Sequence, residues 1–157
     1  MSQDQNRLVA TNRKARHDYH IHETFEAGIV LTGTEVKSLR SAAANIRDSF
    51  ARIKDGEVWL YNMHISPYEF GNRWNHEPTR PRKLLLHRKE IRRLIGQVHQ
   101  ERYTLIPLRV YFNSRGIAKV ELALAKGKKK WDKRRDIADR SAQREAARAV
   151  KEQLGVR

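Results

Sequence analysis

The chain has 157 residues, a length that accommodates one domain and little more. Thirty-three Lys and Arg against eighteen Asp and Glu leave a formal charge of +15, which predicts an anionic partner and makes nucleic acid the leading candidate. No apolar run approaches the ~20 residues of a membrane span, the N-terminus is polar, and the absence of cysteine excludes disulfides and thiolate metal sites. These features favour a cytoplasmic protein without membrane association.

The net charge is concentrated toward the C-terminus. Residues 126–157 contain twelve basic and five acidic side chains, a net charge of +7, whereas the preceding 125 residues carry +8. The apolar strand pattern also stops at Ala125. We therefore expect a flexible N-terminus over residues 1–11, a folded domain over 12–125 and a basic tail over 126–157.

The first elements of the domain are a strand and a short helix. Residues 23–31 form a half-apolar extended run that ends at Thr32-Gly33. Thr32 to Glu35 then have the S/T-x-x-E form of a capping box, which predicts a helix start. Val36 and Leu39 should face inward from that helix.

A hairpin is predicted next, because residues 49–54 and 57–65 flank Asp55-Gly56, a strong hairpin-turn signal. Val58 and Leu60 should share its inner face. Trp59 and Tyr61 fall on the other face. Together with Tyr111 they have two interpretations: they stack on unpaired bases, or they pack in a second buried layer beneath helices. We favour packing in a buried layer.

Residues 87–100 have the period of an amphipathic helix, with Ile91, Leu94, Ile95 and Val98 on one stripe. Seven basic residues, which we call the basic belt, lead into it and continue along it: Arg80, Arg82, Lys83, Arg88, Lys89, Arg92 and Arg93. Only Glu90 offsets them, so we favour phosphate contact over a merely solvated helix face.

A second hairpin follows the helix. Leu108, Val110 and Phe112 alternate with polar positions, residues 113–116 supply the turn, and Val120, Leu122 and Leu124 return on the core side. The sum is a mainly β fold of about six strands with two or three flanking helices. A small antiparallel barrel or sandwich fits this pattern, and an OB-like barrel is one candidate.

Three histidines suggest the only enzymatic alternative. His20 and His22 lie two residues apart, close after His17, which is compatible with a metal site or with acid–base cleavage of RNA. No carboxylate or thiol stands at convincing ligand spacing, and no nucleotide-binding or hydrolase motif is present. We therefore expect no catalytic residues, no metal and no cofactor, and keep a His-dependent ribonuclease as an alternative.

The tail begins with five Lys, two Arg and one Trp in ten residues, 126–135. Beyond it the residues are good helix formers with a weak apolar side. The composition predicts a segment that is disordered alone and becomes helical on a polyanion. A permanently flexible, solubilising tail is an equally good interpretation of composition alone.

Five blocks in this sequence resemble the small protein B (SmpB) family. They are Asn12-Arg13-Lys14-Ala15-Arg16-His17-Asp18-Tyr19, Glu26-Ala27-Gly28-Ile29, Gly33-Thr34-Glu35-Val36-Lys37-Ser38-Leu39-Arg40, Arg82-Lys83-Leu84-Leu85-Leu86, and Ala125-Lys126-Gly127-Lys128-Lys129 with Asp132-Lys133-Arg134. The blocks are in order and extend over residues 12–137.

The resemblance implies an OB-like barrel that binds the tRNA-like domain of transfer-messenger RNA (SsrA RNA) and brings it to stalled ribosomes for trans-translation. It further implies a tail that lies in the empty mRNA channel near the decoding centre of the 16S rRNA and is helical there. Functional links to elongation factor Tu and alanyl-tRNA synthetase are implied, whereas catalysis is not. We expect a monomer.

The resemblance also implies site residues. The RNA-binding residues are Asn12, Arg13, Glu26, Leu86 and Lys119, to which the basic belt adds Arg82 and Lys83. The ribosome-engaging tail residues are Gly127, Lys128, Lys129, Trp131, Asp132, Lys133, Arg134 and Ile137. Glu26 fits an RNA surface because a carboxylate accepts from base amino groups or orients an arginine. Trp131 is predicted to stack on a decoding-centre base. A ribosomal or RNA-chaperone-like OB protein remains the competing binding class.

Overall fold

The computed structural model describes residues 6–71 and 75–153. Its strands are β1 (Arg7–Thr11), β2 (Tyr19–Ile29), β3 (Ala44–Asn45), β4 (Phe50–Lys54), β5 (Glu57–Tyr61), β6 (His64–Ile65), β7 (Arg82–Leu85), β8 (Thr104–Phe112) and β9 (Ala118–Gly127). Its helices are α1 (Ala15–Asp18), α2 (Gly33–Arg40), α3 (Arg88–Glu101) and α4 (Lys130–Gln153). Within the described residues, no helix combines the length and apolar character that crossing a membrane requires.

Six strands close into an antiparallel barrel in the order β8-β4-β5-β7-β2-β9, and β9 returns to pair with β8. Strand β1 adds to the remaining edge of β8, and β3 pairs with β6 in a separate ribbon. Closure satisfies the backbone groups that an open sheet would leave unpaired at its edges. The predicted mainly β barrel of about six strands with flanking helices is confirmed.

Several elements form where local sequence signals place them. The amide of Thr32 donates to the Glu35 carboxylate at 2.8 Å, the returning arm of the predicted capping box at the start of α2. Gly56, with a φ of +75°, makes the turn between β4 and β5. The amide of His87 donates to Glu90 at 3.1 Å and so begins α3 within one residue of its predicted start.

The core fills the barrel with inward side chains from every strand of the ring, together with Leu39 of α2 and Leu94 of α3. Val58 and Leu60 are fully buried there, as alternation along β5 predicts. A smaller apolar cluster lies on the outer face of β8 and β9, beneath α1. It contains Ala15, Ile106, Leu108, Ala123 and Ala125.

The structure corrects two expectations about strands. Residues 7–11, predicted as part of a flexible N-terminus, form β1, because Val9 and Ala10 pack on the core beside the open half of β8. Leu108 was predicted to share the core face with Val110 and Phe112, but it lies in the outer cluster. An irregularity between Pro107 and Arg109 shifts the register, and such a shift exchanges the faces of the residues that precede it.

Candidate RNA-binding surface and tail

Glu26 lies on the outer face of the barrel in a polar row that crosses four strands. It is opposite Glu121 of β9, which is opposite Arg109 of β8, which is opposite Thr11 of β1. Residues that oppose each other across strands share a face of the sheet. The register therefore places Glu26 at one end of the row and Thr11 at the other end. Asn12 and Arg13 follow directly after Thr11.

Side-chain contacts tie this row together. The Arg109 Nε donates to Glu121 Oε2 at 2.5 Å, and the Arg109 guanidinium lies 4.8 Å from the centre of the Tyr111 ring. The Tyr111 hydroxyl donates to the Glu26 carboxylate. Burial, and then the hydrogen bond and charge of Glu26, raise the pKa of Tyr111 above its ordinary value. The hydroxyl therefore keeps its proton and acts as a donor at neutral pH.

A depression of about 420 Å³ adjoins Glu26 and brings three predicted RNA-binding residues together. Glu26, Leu86 and Lys119 all line it, so an acidic, an apolar and a basic side chain converge on one concave surface. Gly28 lies between them, and a Cβ at that position would come within 3.3 Å of the Leu85 Cβ. The close approach of β2 and β7 there shapes the wall of the depression.

Asn12 and Arg13 follow β1 at the other end of the polar row. Asn12 is 8% exposed, its Nδ2 donates to the Pro107 carbonyl at 3.1 Å, and its amide donates to the Leu108 carbonyl at 2.8 Å. Asn12 therefore fixes the turn, and Arg13 is the exposed group that the turn presents. Arg13, Arg16 and Arg109 line a second depression on this side.

Arg82 was predicted to contact RNA, but its side chain is fully buried. It pairs with the equally buried carboxylate of Glu35 and donates to the carbonyls of Met63 at 2.6 Å and Pro78 at 3.0 Å. Because alternate residues of β7 face inward, Arg82 lies inside and Lys83 outside. The structure thus corrects the assignment of Arg82, because its guanidinium binds groups inside the barrel and does not reach the surface.

Arg80 pairs with the buried Glu35 at the edge of the interior, and the rest of the basic belt is on the surface. Lys83 pairs with Glu57 where both are partly exposed, and Arg93 of α3 pairs with Glu23. Arg88, Lys89 and Arg92 are exposed on α3. These cations extend the basic surface beside the depression at Glu26, since α3 follows directly on Leu86.

The base of the tail is held against α1. Strand β9 continues to Gly127, two residues past the predicted domain boundary, and the Lys128 amide donates to the Asp18 carbonyl at 2.8 Å. The Lys128 side chain is 8% exposed, donates to the Arg16 carbonyl at 3.0 Å and pairs with Asp136. Lys133 adds an ion pair to Asp18 at 3.2 Å. We call these contacts of Arg16, Asp18, Lys128, Lys133 and Asp136 the tail clasp.

Charge pairing in the tail clasp lowers the pKa values of its two carboxylates, Asp18 and Asp136. The hydrogen bond from Lys128 holds the pKa of Asp136 below its usual value. The pKa of Asp18 is lowered first by its hydrogen bond with His17 and then by Lys133. Both carboxylates are therefore ionised at neutral pH, as the clasp requires.

Beyond the clasp, helix α4 carries few apolar groups and is largely exposed. Lys129, Arg134 and Ile137 are exposed, whereas the side chains of Trp131 and Asp132 lie outside the described residues. Whether this segment is disordered without a partner stays a prediction. The geometry separates the predicted tail residues into the clasped Lys128 and Lys133 and an outward-facing set farther along.

The histidines and outer aromatics are engaged locally. His17 bonds to Asp18 at 3.0 Å, and the ring of His22 stacks on Tyr103 at 5.0 Å. Across residues 6–71 and 75–153, no three His, Asp or Glu side chains are grouped to hold a metal ion. On the far side of the barrel, the Tyr61 ring stacks on Phe50 at 5.6 Å and is half-buried.

This architecture matches known proteins along nearly the whole chain. The family model described as "SmpB protein" matches residues 9–152, which include the polar row, the depression and most of the tail. The chain belongs to the SmpB protein family. Two SmpB-family relatives are SsrA-binding proteins, from Moorella thermoacetica, 66% identical over 96% of this chain and 97% of that protein, and from Desulforudis audaxviator, 64% identical over 96% and 98%.

A solved structure agrees with the SmpB assignment. It is described as "tmRNA-SmpB: a journey to the center of the bacterial ribosome". Its matching chain is 59% identical with a TM-score of 0.64, and the match covers 76% of this chain and 84% of that one.

Sequence reasoning missed the side chains that contact the predicted site residues. The sequence indicates only an outer aromatic at Tyr111 and carries no motif that selects Arg109 or Glu121. Because these residues alternate with core residues along β8 and β9, the sequence places them on the outer face. Their proximity to Glu26 depends on strand register, which the sequence does not show. No signal marked Glu35 as the buried partner of Arg82, because an acid in a capping box is ordinarily exposed.

Proposed function

We propose that this chain binds the tRNA-like domain of transfer-messenger RNA, the SsrA RNA, and delivers it to stalled ribosomes for trans-translation. The observation that carries the proposal is the likeness to SsrA-binding proteins over nearly the full length of both chains. The convergence of Glu26, Leu86 and Lys119 in one depression supports it from the geometry.

The polar row suits the recognition of a folded RNA rather than simple charge attraction. Arg13 and the cations of α3 supply phosphate contacts on either side, which set position and orientation. Glu26 supplies an acceptor for base amino groups, and Leu86 an apolar contact for an unstacked base. A mixed acidic, apolar and basic surface discriminates among RNAs, whereas a uniformly basic one attracts them all.

We assign the tail to the ribosome. Arg134, Ile137 and the basic groups farther along α4 face outward, and the side chains described between residues 133 and 151 form no apolar face that would dock on the barrel. Such a helix fits the proposal that it lies in the empty mRNA channel beside the 16S rRNA at the decoding centre. The predicted stacking of Trp131 belongs to the same proposal.

The remaining features of the proposal follow from the same assignment. The protein acts in the cytoplasm as a monomer without cofactor or metal, and it catalyses no reaction itself. Elongation factor Tu and alanyl-tRNA synthetase act on the same RNA. A general RNA chaperone or ribosomal OB protein is the rival, because it shares the barrel and the charge but needs no special RNA.

The test of the proposal is tagging of an unfinished protein on ribosomes stalled without mRNA in the decoding site. A chain without residues 130–157 keeps all of β9 and Lys128. This chain should fail to support tagging, but its affinity for transfer-messenger RNA should stay within about threefold of that of the unaltered chain, since phosphate contacts on the barrel persist. Tagging by the shortened chain, or collapse of its RNA affinity, would contradict this division of labour. A ribonuclease would instead cleave the RNA, and His17→Ala or His20→Ala would stop that cleavage.

A further inference from the structure

The readout role proposed for Glu26 requires that its carboxylate point in a fixed direction. Glu26 is exposed on β2, and an exposed glutamate samples several rotamers, so fixing it upon binding costs side-chain entropy. A carboxylate fixed beforehand avoids that cost and presents its acceptors in one geometry.

Tyr111 reaches Glu26 from two strands away. It lies on β8, whereas Glu26 lies on β2, and β9 runs between them. Neighbouring strands are about 4.8 Å apart, so the two backbones are separated by roughly 10 Å. The phenol spans β9 between the positions of Lys119 and Glu121, and its terminal hydroxyl donates to Glu26 Oε2.

The ring of Tyr111 is itself held in place. Tyr111 is only 4% exposed, and the Arg109 guanidinium covers its ring at 4.8 Å. The same guanidinium is tied to Glu121 at 2.5 Å. Arg109 therefore braces the ring and neutralises the neighbouring carboxylate, while the hydroxyl serves Glu26.

We propose that Tyr111 is a positioning residue for RNA recognition, which holds one oxygen of Glu26 so that the carboxylate presents its remaining acceptor capacity to a base of the bound RNA. A carboxylate has about four acceptor sites, so one bond from the hydroxyl leaves room for donors from the ligand. This inference rests on the proposed function. It adds a residue that touches no RNA and acts through Glu26.

The experiment compares Tyr111→Phe with the unaltered chain against transfer-messenger RNA and an unrelated RNA of equal length. Removing the hydroxyl should weaken binding of transfer-messenger RNA about tenfold, because the freed Glu26 side chain must then be ordered when the RNA binds. Binding of the unrelated RNA should be unchanged. Tyr61→Phe removes a hydroxyl on the opposite side of the barrel and serves as the matched control, without effect on either RNA.

A double-mutant cycle with Glu26→Ala separates positioning from a structural role. In the Glu26→Ala background, Tyr111→Phe should cause no further loss, because the group that it positions is gone. An equal loss in both backgrounds, or no loss with Glu26 present, overturns the inference while the proposed function stands. Equal affinity of the unaltered chain for the two RNAs overturns the proposed function and this inference with it.

Discussion

At the scale of single residues, the most consequential group is the carboxylate of Glu35. It is fully buried and pairs with Arg82, which is also buried, and with Arg80 at the edge of the interior. Arg82 also donates to the carbonyls of Met63 and Pro78. One ion pair therefore joins α2, β7 and the chain that connects β6 to β7. Neither charge has access to water, so each depends on the other.

Glu35→Gln should destabilise the fold by about 3–5 kcal/mol, because it leaves the Arg82 charge buried without its counter-charge. Glu57→Gln is the matched control, since it breaks a partly exposed pair with Lys83 and should cost less than about 1 kcal/mol. The measurement is the free energy of unfolding in urea for both variants. Similar losses for the two would contradict the importance given to burial.

The lowered pKa of the Glu35 carboxylate makes the free energy of unfolding depend on pH. Burial alone raises the pKa of Glu35, but hydrogen bonds from Arg80, the Thr32 amide and Arg82 outweigh it and hold the pKa below its ordinary value of 4.5. The folded state thus binds this proton less readily than the unfolded state does. The stability that Glu35 contributes is complete above its ordinary pKa and is lost as the pH falls through the lowered, folded-state value.

The difference in unfolding free energy between the unaltered chain and Glu35→Gln should therefore shrink on acidification. Urea titrations at neutral pH and at several acid pH values measure it, and other carboxylates cancel in the comparison. A difference that stays constant with pH would show that the Glu35 charge is not what stabilises the fold.

At the scale of elements, two glycines predict changes of opposite sign. Gly56 has a φ of +75° in the turn between β4 and β5, so Gly56→Ala should lower stability by about 1 kcal/mol. Gly96 lies inside α3 with nothing within 4 Å of an added Cβ, so Gly96→Ala should raise stability by about 0.5–1 kcal/mol. Thermal unfolding of both variants measures the changes. A shift of the same sign in both would contradict the backbone description of one of them.

Elements whose signals lie within a few residues could be predicted from the sequence. The capping box of α2, the turn at Asp55-Gly56 and the apolar stripe of α3 all depend on neighbours in the chain. The face of Leu108 could not, because the register shift at Pro107 depends on pairing with β9. The burial of Arg82 could not either, since its partner Glu35 lies 47 positions away and only the closed barrel brings them together.

The tail clasp makes a prediction for helix α4. Lys128→Ala removes the side chain that joins the Arg16 carbonyl to Asp136, so the first turns of α4 should open more often. Hydrogen exchange of the α4 amides should therefore accelerate, with the barrel amides unchanged. Arg134→Ala, an exposed cation farther along, is the control and should leave exchange as it is. Unaltered exchange in Lys128→Ala would show that the clasp does not hold the helix.

At the scale of the whole molecule, net charge and the arrangement of surface groups have different effects on RNA binding. The net charge of +15 draws any RNA toward the protein, and that attraction weakens as salt rises. In the proposed function, the polar row on β2, β9, β8 and β1 adds the discrimination among RNAs that charge alone lacks. The tail, clasped at its base and exposed beyond it, extends the basic surface away from the barrel. In the proposed function these parts serve the RNA and the ribosome respectively.

The most direct test of this account is a binding titration of the full chain against transfer-messenger RNA and an unrelated RNA of equal length across a range of salt concentrations. Both affinities should fall as salt rises, because both include phosphate contacts. Transfer-messenger RNA should stay tighter at every concentration, by on the order of a hundredfold or more, and Glu26→Ala should reduce that margin while Glu101→Ala, an exposed carboxylate at the end of α3, should not. Equal affinities for the two RNAs throughout the range would contradict the account and leave a general basic RNA binder.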